Sequence, residues 1–498
     1  MEWRGGALAK VASAWNGHPV SPLPLVAFRL VFGLLAFAGA VRFVAKGWVE
    51  TLYLEPEFLF TYAYLDWIRP LPGNWLYLVF GVQAVSALLI AAGRLYRPAA
   101  VAYFVSFTYV ELLDKTTYLN HYVLVSFVAF LLIFLPLDRW GRLEWGGNGR
   151  GPAREPGGEG RAKPREDEAR SRRAARAAPG WIANALRIQI GIVYLFAGLA
   201  KLNPDWLFSA LPLRIWLSSR TGTPLVGPLF DEPWVAIAMS WGGAAFDLSI
   251  PFLLSWKRTR PWAYLAVVGF HGATALLFPI GMFPWIMIGA TLVFFEGDEL
   301  ARVARVWRRA EGMRDAPARN RACLTPEVRL IPCVRPILAA FFAIQLFLPL
   351  RHLAYPGDVL WTEEGYRFSW RVMLLEKAGM VLYRVTDPAS GRSWDVSPGD
   401  HLTMQQAKQM AFQPDMILDF AHHLAERLAD VGMSGVEIRA DAYVSVNGRP
   451  GALLVDPRVD LARMPRGLAP KGWILPAPGA RPDLVIDSED KLSGALPL

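Results

Sequence analysis

Cysteine is nearly missing from this chain: Cys323 and Cys333 are the two in 498 residues. They lie in a basic stretch at a spacing that fits neither a metal site nor a disulfide framework. No Cys/His/Asp/Glu pattern has metal-ligand spacing, so no metal is expected. A phosphate-cradling glycine loop and a nucleophile elbow are also missing. There is no internal repeat. No short cleavable leader is expected, because Arg4 and Lys10 precede a long polar approach to the first apolar run.

What the chain has in quantity is apolar surface. Hydrophobic residues make up 53%, mean hydropathy is +0.26, and there are 20 Trp and 28 Phe. That is too apolar for a soluble enzyme and suits a polytopic membrane protein with a soluble part. The net charge of +9 could point to nucleic acid. However, the basic residues cluster in a few loops between apolar segments, the signature of membrane topology. A lipid bilayer is therefore the expected partner, and nucleic acid is not.

About nine apolar segments are readable, near 24–45, 74–93, 97–113, 118–137, 182–200, 233–255, 262–278, 282–296 and 334–350. The aromatic stretch 48–73, with Pro70 and Pro72, reads as an interfacial or re-entrant element. With the N-terminus (1–23) in the cytoplasm, the inside loops are 93–98, 138–181, 256–261 and 296–333. All four carry Arg, two of them with Lys as well, as the positive-inside rule requires. The Gly/Arg/Glu-rich part of the second loop, 146–179, reads as a solvated linker.

Beyond the ninth segment the character changes. Residues 380–386, 393–396 and 437–446 alternate like strands, and Asn447-Gly448 before 451–455 is a hairpin signal. One helix is expected near 403–432, with His422 and His423 as surface residues. An odd number of spans puts this domain, 355–462, outside the cytoplasm. The Pro/Gly-rich tail 463–498 reads as loose. The expected fold is thus a polytopic α-helical membrane protein, 24–350, with a C-terminal extracytoplasmic β-rich domain.

Charged and imidazole groups at membrane depth are costly and are functional candidates by default. Lys201 closes the apolar run 188–200. It reads either as a snorkelling residue or as a lysine in apolar surroundings whose neutral amine acts as a base. Lys115, His121 and Lys201 all fall at the outer ends of their segments, and His271 lies mid-span or somewhat outward. Four separated residues thus converge at one depth, facing the external domain. Asp114 and Lys115 also read as an interfacial ion pair, and Asp247 as a partner for a neighbouring helix. Arg29, Arg42 and Arg187 read as anchors.

These residues carry a resemblance. Leu113-Asp-Lys-Thr-Thr-Tyr-Leu-Asn-His121 and Ala197-Gly-Leu-Ala-Lys201-Leu-Asn-Pro-Asp-Trp206 are its most specific motifs. Arg69-Pro-Leu-Pro, Phe246-Asp-Leu, Phe270-His271, Gly365 to Trp370, Tyr443 to Asn447 and Asp456 to Asp460 extend it over most of the chain. The sequence resembles the vitamin K-dependent gamma-glutamyl carboxylase family, the horizontally transferred transmembrane (HTTM) proteins. The resemblance implies an enzyme that oxidises reduced vitamin K, or a menaquinone-type hydroquinone, to its epoxide with O2. That oxidation drives addition of CO2 to glutamate in a peptide or protein. Lys201 would be the base and His121 the assisting group. Asn120, His271, Asp247 and Lys115 would contact the quinone, and Tyr366, Trp370 and Arg449 the glutamate substrate.

There are departures from the family pattern. A histidine and an arginine that animal members carry after Ser-Trp fall here on Leu375 and Lys377. Ala200 replaces the first lysine of a pair, and the animal disulfide has no counterpart. Composition points to a bacterial inner-membrane protein. The alternatives are an uncoupled quinone epoxidase, which Leu375 favours, and a non-catalytic membrane receptor or transporter.

Overall fold

The computed structural model describes residues 19–140, 177–302 and 334–479. Both cysteines, and most of the basic residues of the second and fourth inside loops, lie outside the described residues.

Each of the nine apolar segments contains a helix, here named with the other labelled elements in chain order. They are α1 (Leu23–Ala45), α2 (Trp75–Ala92), α3 (Tyr96–Glu111), α4 (Asn120–Phe134) and α5 (Gly180–Ala200). After the short α6 (Leu211–Ser218) come α7 (Pro233–Ser255), α8 (Arg260–Leu277), α9 (Phe283–Ala290) and α10 (Val334–Phe347). Prolines at the start of α1, α7 and α8 sit where their missing N–H costs nothing. Gly93, at φ +67°, closes α2 in the left-handed conformation that favours glycine.

Among the described residues, five helices are long and apolar enough to cross a membrane. These are α1, α2, α5, α7 and α10 continued to Ala354. The expectation of nine full spans is reduced accordingly. At 1.5 Å per residue, the 16 residues of α3 and the 15 of α4 reach about 24 and 23 Å, short of a ~30 Å hydrocarbon core.

The bundle core runs through α1–α5 and α7–α10. α1 and α2 approach closely at Gly33, where a Cβ would lie 2.6 Å from the Ala87 carbonyl oxygen. Buried polar residues bind the bundle internally. Arg29 donates to the Leu137 and Trp140 carbonyls at 2.7 and 2.9 Å. Gln189 on α5 and Gln345 on α10 exchange reciprocal hydrogen bonds at 2.8 and 2.6 Å.

The C-terminal domain is a four-stranded antiparallel sheet in the order β2-β1-β3-β4, built from β1 (Lys377–Thr386), β2 (Ser393–Val396), β3 (Glu437–Val446) and β4 (Ala452–Leu453). Asn447 and Gly448, both at positive φ, make the β3–β4 turn as the sequence predicts. The single helix expected over 403–432 is two, α11 (Met404–Met410) and α12 (Pro414–Asp430), because Pro414 can only start a helix. The tail is not loose over 463–479. Trp473 is buried, and Leu475 donates to the Leu454 carbonyl at 2.9 Å.

Loops from one end of the bundle clamp this domain. The stretch 48–73 runs up to the sheet domain and buries Phe60 in that domain's core. Lys115 pairs with Asp415 at 3.0 Å and with Asp419. Arg466 bridges Asp419 and Asp66 at 2.7 and 2.6 Å. Burial alone would raise the Asp415 carboxyl, but Arg367 and Lys115 hold it well below the usual carboxylate range.

Candidate active site at the end of helix α5

α5 stops at Ala200, and Lys201 takes its C-cap position. Asn203 then caps a short turn by accepting from the Trp206 N–H at 3.0 Å, with Pro204 in the first helical position. The chain therefore folds back, and the Trp206 ring centroid comes within 5.3 Å of Lys201 Nζ. Trp206 is held in turn by donating Nε1–H to the Ser240 carbonyl of α7 at 2.9 Å. The Lys201 stem is buried, and Nζ lies 2.8 Å from Asp247 Oδ2 on α7. Pro251, one turn further on, has no N–H to give to the Asp247 carbonyl.

Tyr194, Ala197 and Lys201 share one face of α5 at the i, i+3, i+7 spacing. The Tyr194 hydroxyl lies 2.8 Å from His271 Nε2 on α8. His271 is almost fully buried, and its Nδ1 has no hydrogen-bond partner among the described residues. Lys201, Asp247, Tyr194 and His271 line one cavity. Its other walls are aromatic and aliphatic, among them Phe270, Phe278 and Phe283, closed by Val372 and Met373 of the C-terminal region. Its apolar lining with a few polar groups suits a flat ring system held by a few polar contacts.

The remaining sequence candidates are distributed differently. His121, in the first turn of α4, lies behind Phe283, whose ring is 5.8 Å from His121 and 5.8 Å from His271. Lys115 is outside the cavity, since its ammonium is committed to Asp415 and Asp419 some 300 residues on. Asp114 bonds to Thr116 N–H and Gln406, so its expected pairing with Lys115 is not formed. Asn120 is also elsewhere: it donates to the Arg371 carbonyl at 3.1 Å and accepts from Tyr118 at 3.0 Å. Trp370 is buried against Phe127, and the Tyr366 hydroxyl donates to the Arg371 carbonyl at 3.4 Å. Both residues shape the segment 363–373, where Glu363, Phe368, Trp370 and Met373 all have positive φ.

Arg449 grips Asp205 with two hydrogen bonds of 2.5 Å, and Asn447 adds a third at 2.7 Å. Burial alone would raise Asp205, but these partners hold its carboxyl below the usual range. This clamp lies on a second, more open cavity between the bundle end and the sheet domain, which Arg371 and His352 also line. Neither the Lys201–Asp247 pairing nor the Tyr194–His271 contact is legible in the sequence. Only Tyr194 leaves a signal there, its seven-residue spacing from Lys201.

Two family models match. The HTTM domain covers residues 17–144 and 166–298, just over half the chain. The lumenal domain of vitamin K-dependent gamma-carboxylase covers residues 332–480. The chain belongs to the vitamin K-dependent gamma-carboxylase family. No solved structure matches it. The family's lumenal-domain match ends beside the last described residue, which agrees with the packed stretch 463–479. Together with the five apolar helices, membership makes this an integral membrane protein with carboxylase-type domains, and it implies vitamin K as cofactor.

Proposed function

We propose that this gamma-carboxylase family member oxidises a reduced vitamin K or menaquinone-type hydroquinone at the Lys201 cavity and couples that oxidation to carboxylation of glutamate. The observation that carries this reading is the convergence of Lys201, Asp247, Tyr194 and His271 on one apolar cavity, with His271 Nδ1 unpartnered among the described residues. The residues fit a hydroquinone. Lys201 and His271 offer polar contacts to its hydroxyls, and the aromatic walls match its ring. A hydroquinone held there would supply the electrons for reduction of O2 and, through its conversion to the epoxide, the strong base that glutamate carboxylation needs.

The chain's own residues would do the following. Asp247, 2.8 Å from Lys201 Nζ, is placed to exchange a proton with it when Lys201 acts as a base. Tyr194 fixes the imidazole of His271 by occupying Nε2, so Nδ1 is directed to ligand. The apolar lining excludes water from the reacting atoms. His121, behind Phe283, assists from outside the cavity wall.

The orientation that goes with this reading has the N-terminus in the cytoplasm and the sheet domain outside. The helices α3, α4, α8 and α9 complete a nine-helix bundle, in a bacterial inner membrane. A reporter fused after Leu498 should then be active outside the cytoplasm.

A second reading, quinone epoxidation without carboxylation, is favoured by Leu375. Here it packs in the apolar cluster around Trp206. One assay separates the readings. Detergent-purified protein receives reduced vitamin K, O2 and labelled bicarbonate, with and without a glutamate peptide. Epoxide from the wild type and none from Lys201→Ala is the expected result, and label in the peptide selects the coupled enzyme. No epoxide from the wild type with either vitamin K or menaquinone would move the protein to a receptor or transporter role.

A further inference from the structure

We infer that Arg371 is the cation that receives the carboxylate of the acceptor glutamate, and so sets acceptor specificity in this chain. The inference rests on the carboxylase reading for the identity of the acceptor. It starts from an unspent charge. Arg371 is 8% exposed, yet its guanidinium makes no hydrogen bond or ion pair among the described residues, and Nε is buried without a partner. The Tyr366 ring centroid lies 6.0 Å from its guanidinium carbon. A buried guanidinium normally has an anion or several acceptors, because leaving it bare is costly.

The other cations near it are already used. Arg449 is held two-pronged by Asp205. Lys377, at the position where animal members carry an arginine, donates to Glu363 at 3.0 Å and to the Trp361 carbonyl at 2.8 Å. His352 has Nδ1 against the Pro349 carbonyl at 2.8 Å. Of the local carboxylates, Asp205 is paired with Arg449, and Asp358 caps a turn by accepting from the Leu360 N–H at 2.9 Å. Among the described residues, the cavity therefore has one guanidinium without a hydrogen bond or ion pair; Asp358, on the same cavity, acts on it through space but makes no contact with it.

Position supplies the direction. Arg371 lines the open cavity between bundle and sheet domain, about 770 Å³, enough to admit part of a peptide. The next two residues, Val372 and Met373, line the Lys201 cavity instead. Arg371 thus stands at the wall shared by the two spaces. Its backbone is fixed there by Asn120 and Tyr366, both bonded to its carbonyl, and by positive φ at Trp370 and Met373. A side-chain carboxylate on Arg371 would bring the adjoining methylene to that wall. In this chain Arg371 takes over the recognition that Leu375 and Lys377 cannot perform.

The test is direct binding, with full-length protein in phosphatidylcholine nanodiscs. Fluorescence anisotropy compares a fluorescein-labelled peptide bearing one glutamate with the same peptide bearing glutamine. Wild type should prefer glutamate by about tenfold or more, the yield of a charge-assisted pair. Arg371→Gln should lose the preference, and Arg371→Lys should keep part of it, which separates charge recognition from misfolding. Equal affinity for the two peptides, or an unchanged preference in Arg371→Gln, overturns the inference. So does a preference abolished by phosphatidylglycerol in the disc, which would assign Arg371 to a lipid headgroup. Epoxide formed without peptide is measured on the same preparations. Its absence beside an intact glutamate preference would defeat the quinone reading and leave Arg371 standing.

Discussion

Replacing Asp247 with asparagine leaves the Lys201 ammonium buried beside a neutral amide. Removing one partner of a buried pair costs roughly 3–5 kcal/mol. Proton release caps that penalty, because deprotonating an ordinary lysine at pH 7 costs ~1.36 kcal/mol for each of ~3.4 pH units, about 4.6 kcal/mol. The asparagine oxygen still accepts from the amine, which offsets about 1 kcal/mol. The expected loss is therefore about 2–4 kcal/mol. Lys201→Met strands the carboxylate instead, with a similar cap of about 4 kcal/mol. In the double variant neither charge remains, so most of the loss should return, with a coupling of about 2–3 kcal/mol. The assay is the apparent Tm of the detergent-purified full chain, followed by tryptophan fluorescence. Each single substitution should lower it by about 2–4 °C, and the double should lie nearer the wild type than either single. Losses that simply add in the double would refute the argument, since they would mean that the two charges do not compensate one another.

Three further outcomes follow from the same geometry. A Cβ on Gly198 would lie 2.7 and 2.8 Å from Leu248 side-chain carbons and 3.0 Å from its backbone N. Gly198→Ala should therefore separate α5 from α7, cost about 1–3 kcal/mol and lower epoxide turnover, while Gly191→Ala, whose Cβ meets Pro251 at 3.8 Å, should not. Burial pushes the Asp114 carboxyl up to about 6, against the hydrogen bonds it accepts from Thr116 and Gln406. The folded chain thus holds that proton more tightly than the unfolded chain does, so the stabilisation is full below about pH 4 and is lost as pH rises through 6, by about 3 kcal/mol. Asp114→Asn should then gain in Tm over wild type between pH 5 and pH 8, and a difference independent of pH would count against this burial. Lys115→Met removes one cation from Asp415 and Asp419, leaving Arg367 and Arg466, and should loosen the sheet domain by about 2–3 kcal/mol. Faster limited proteolysis of that domain is the readout.

The contrast between Lys115 and Lys201 shows how far the sequence reaches. Both lysines end an apolar segment and sit in specific motifs, so sequence treats them alike. Each is buried against carboxylates, yet Lys201 faces the bundle cavity and Lys115 faces α12 of the sheet domain. Arg371 makes the same point from the other side. Next to the Ser369-Trp370 pair it looks like any loop arginine, and only the absence of a partner among the described residues marks it out.

Local chemistry is readable because it is written in short range. Helix-length apolar runs, alternation in β1 and β3, the Asn447-Gly448 turn and the lysine closing the run 188–200 each depend on residues within one element. The sequence by itself determined the helical membrane bundle, the appended sheet domain and Lys201 as the residue to examine. Tertiary structure alone decided that Lys201 meets Asp247, that Tyr194 leaves His271 one free nitrogen among the described residues, and that Lys115 belongs to the domain clamp. The reason is physical. Hydrophobic periodicity sets which face of a helix is buried, but which residues meet across that face depends on how the helices pack and rotate against one another.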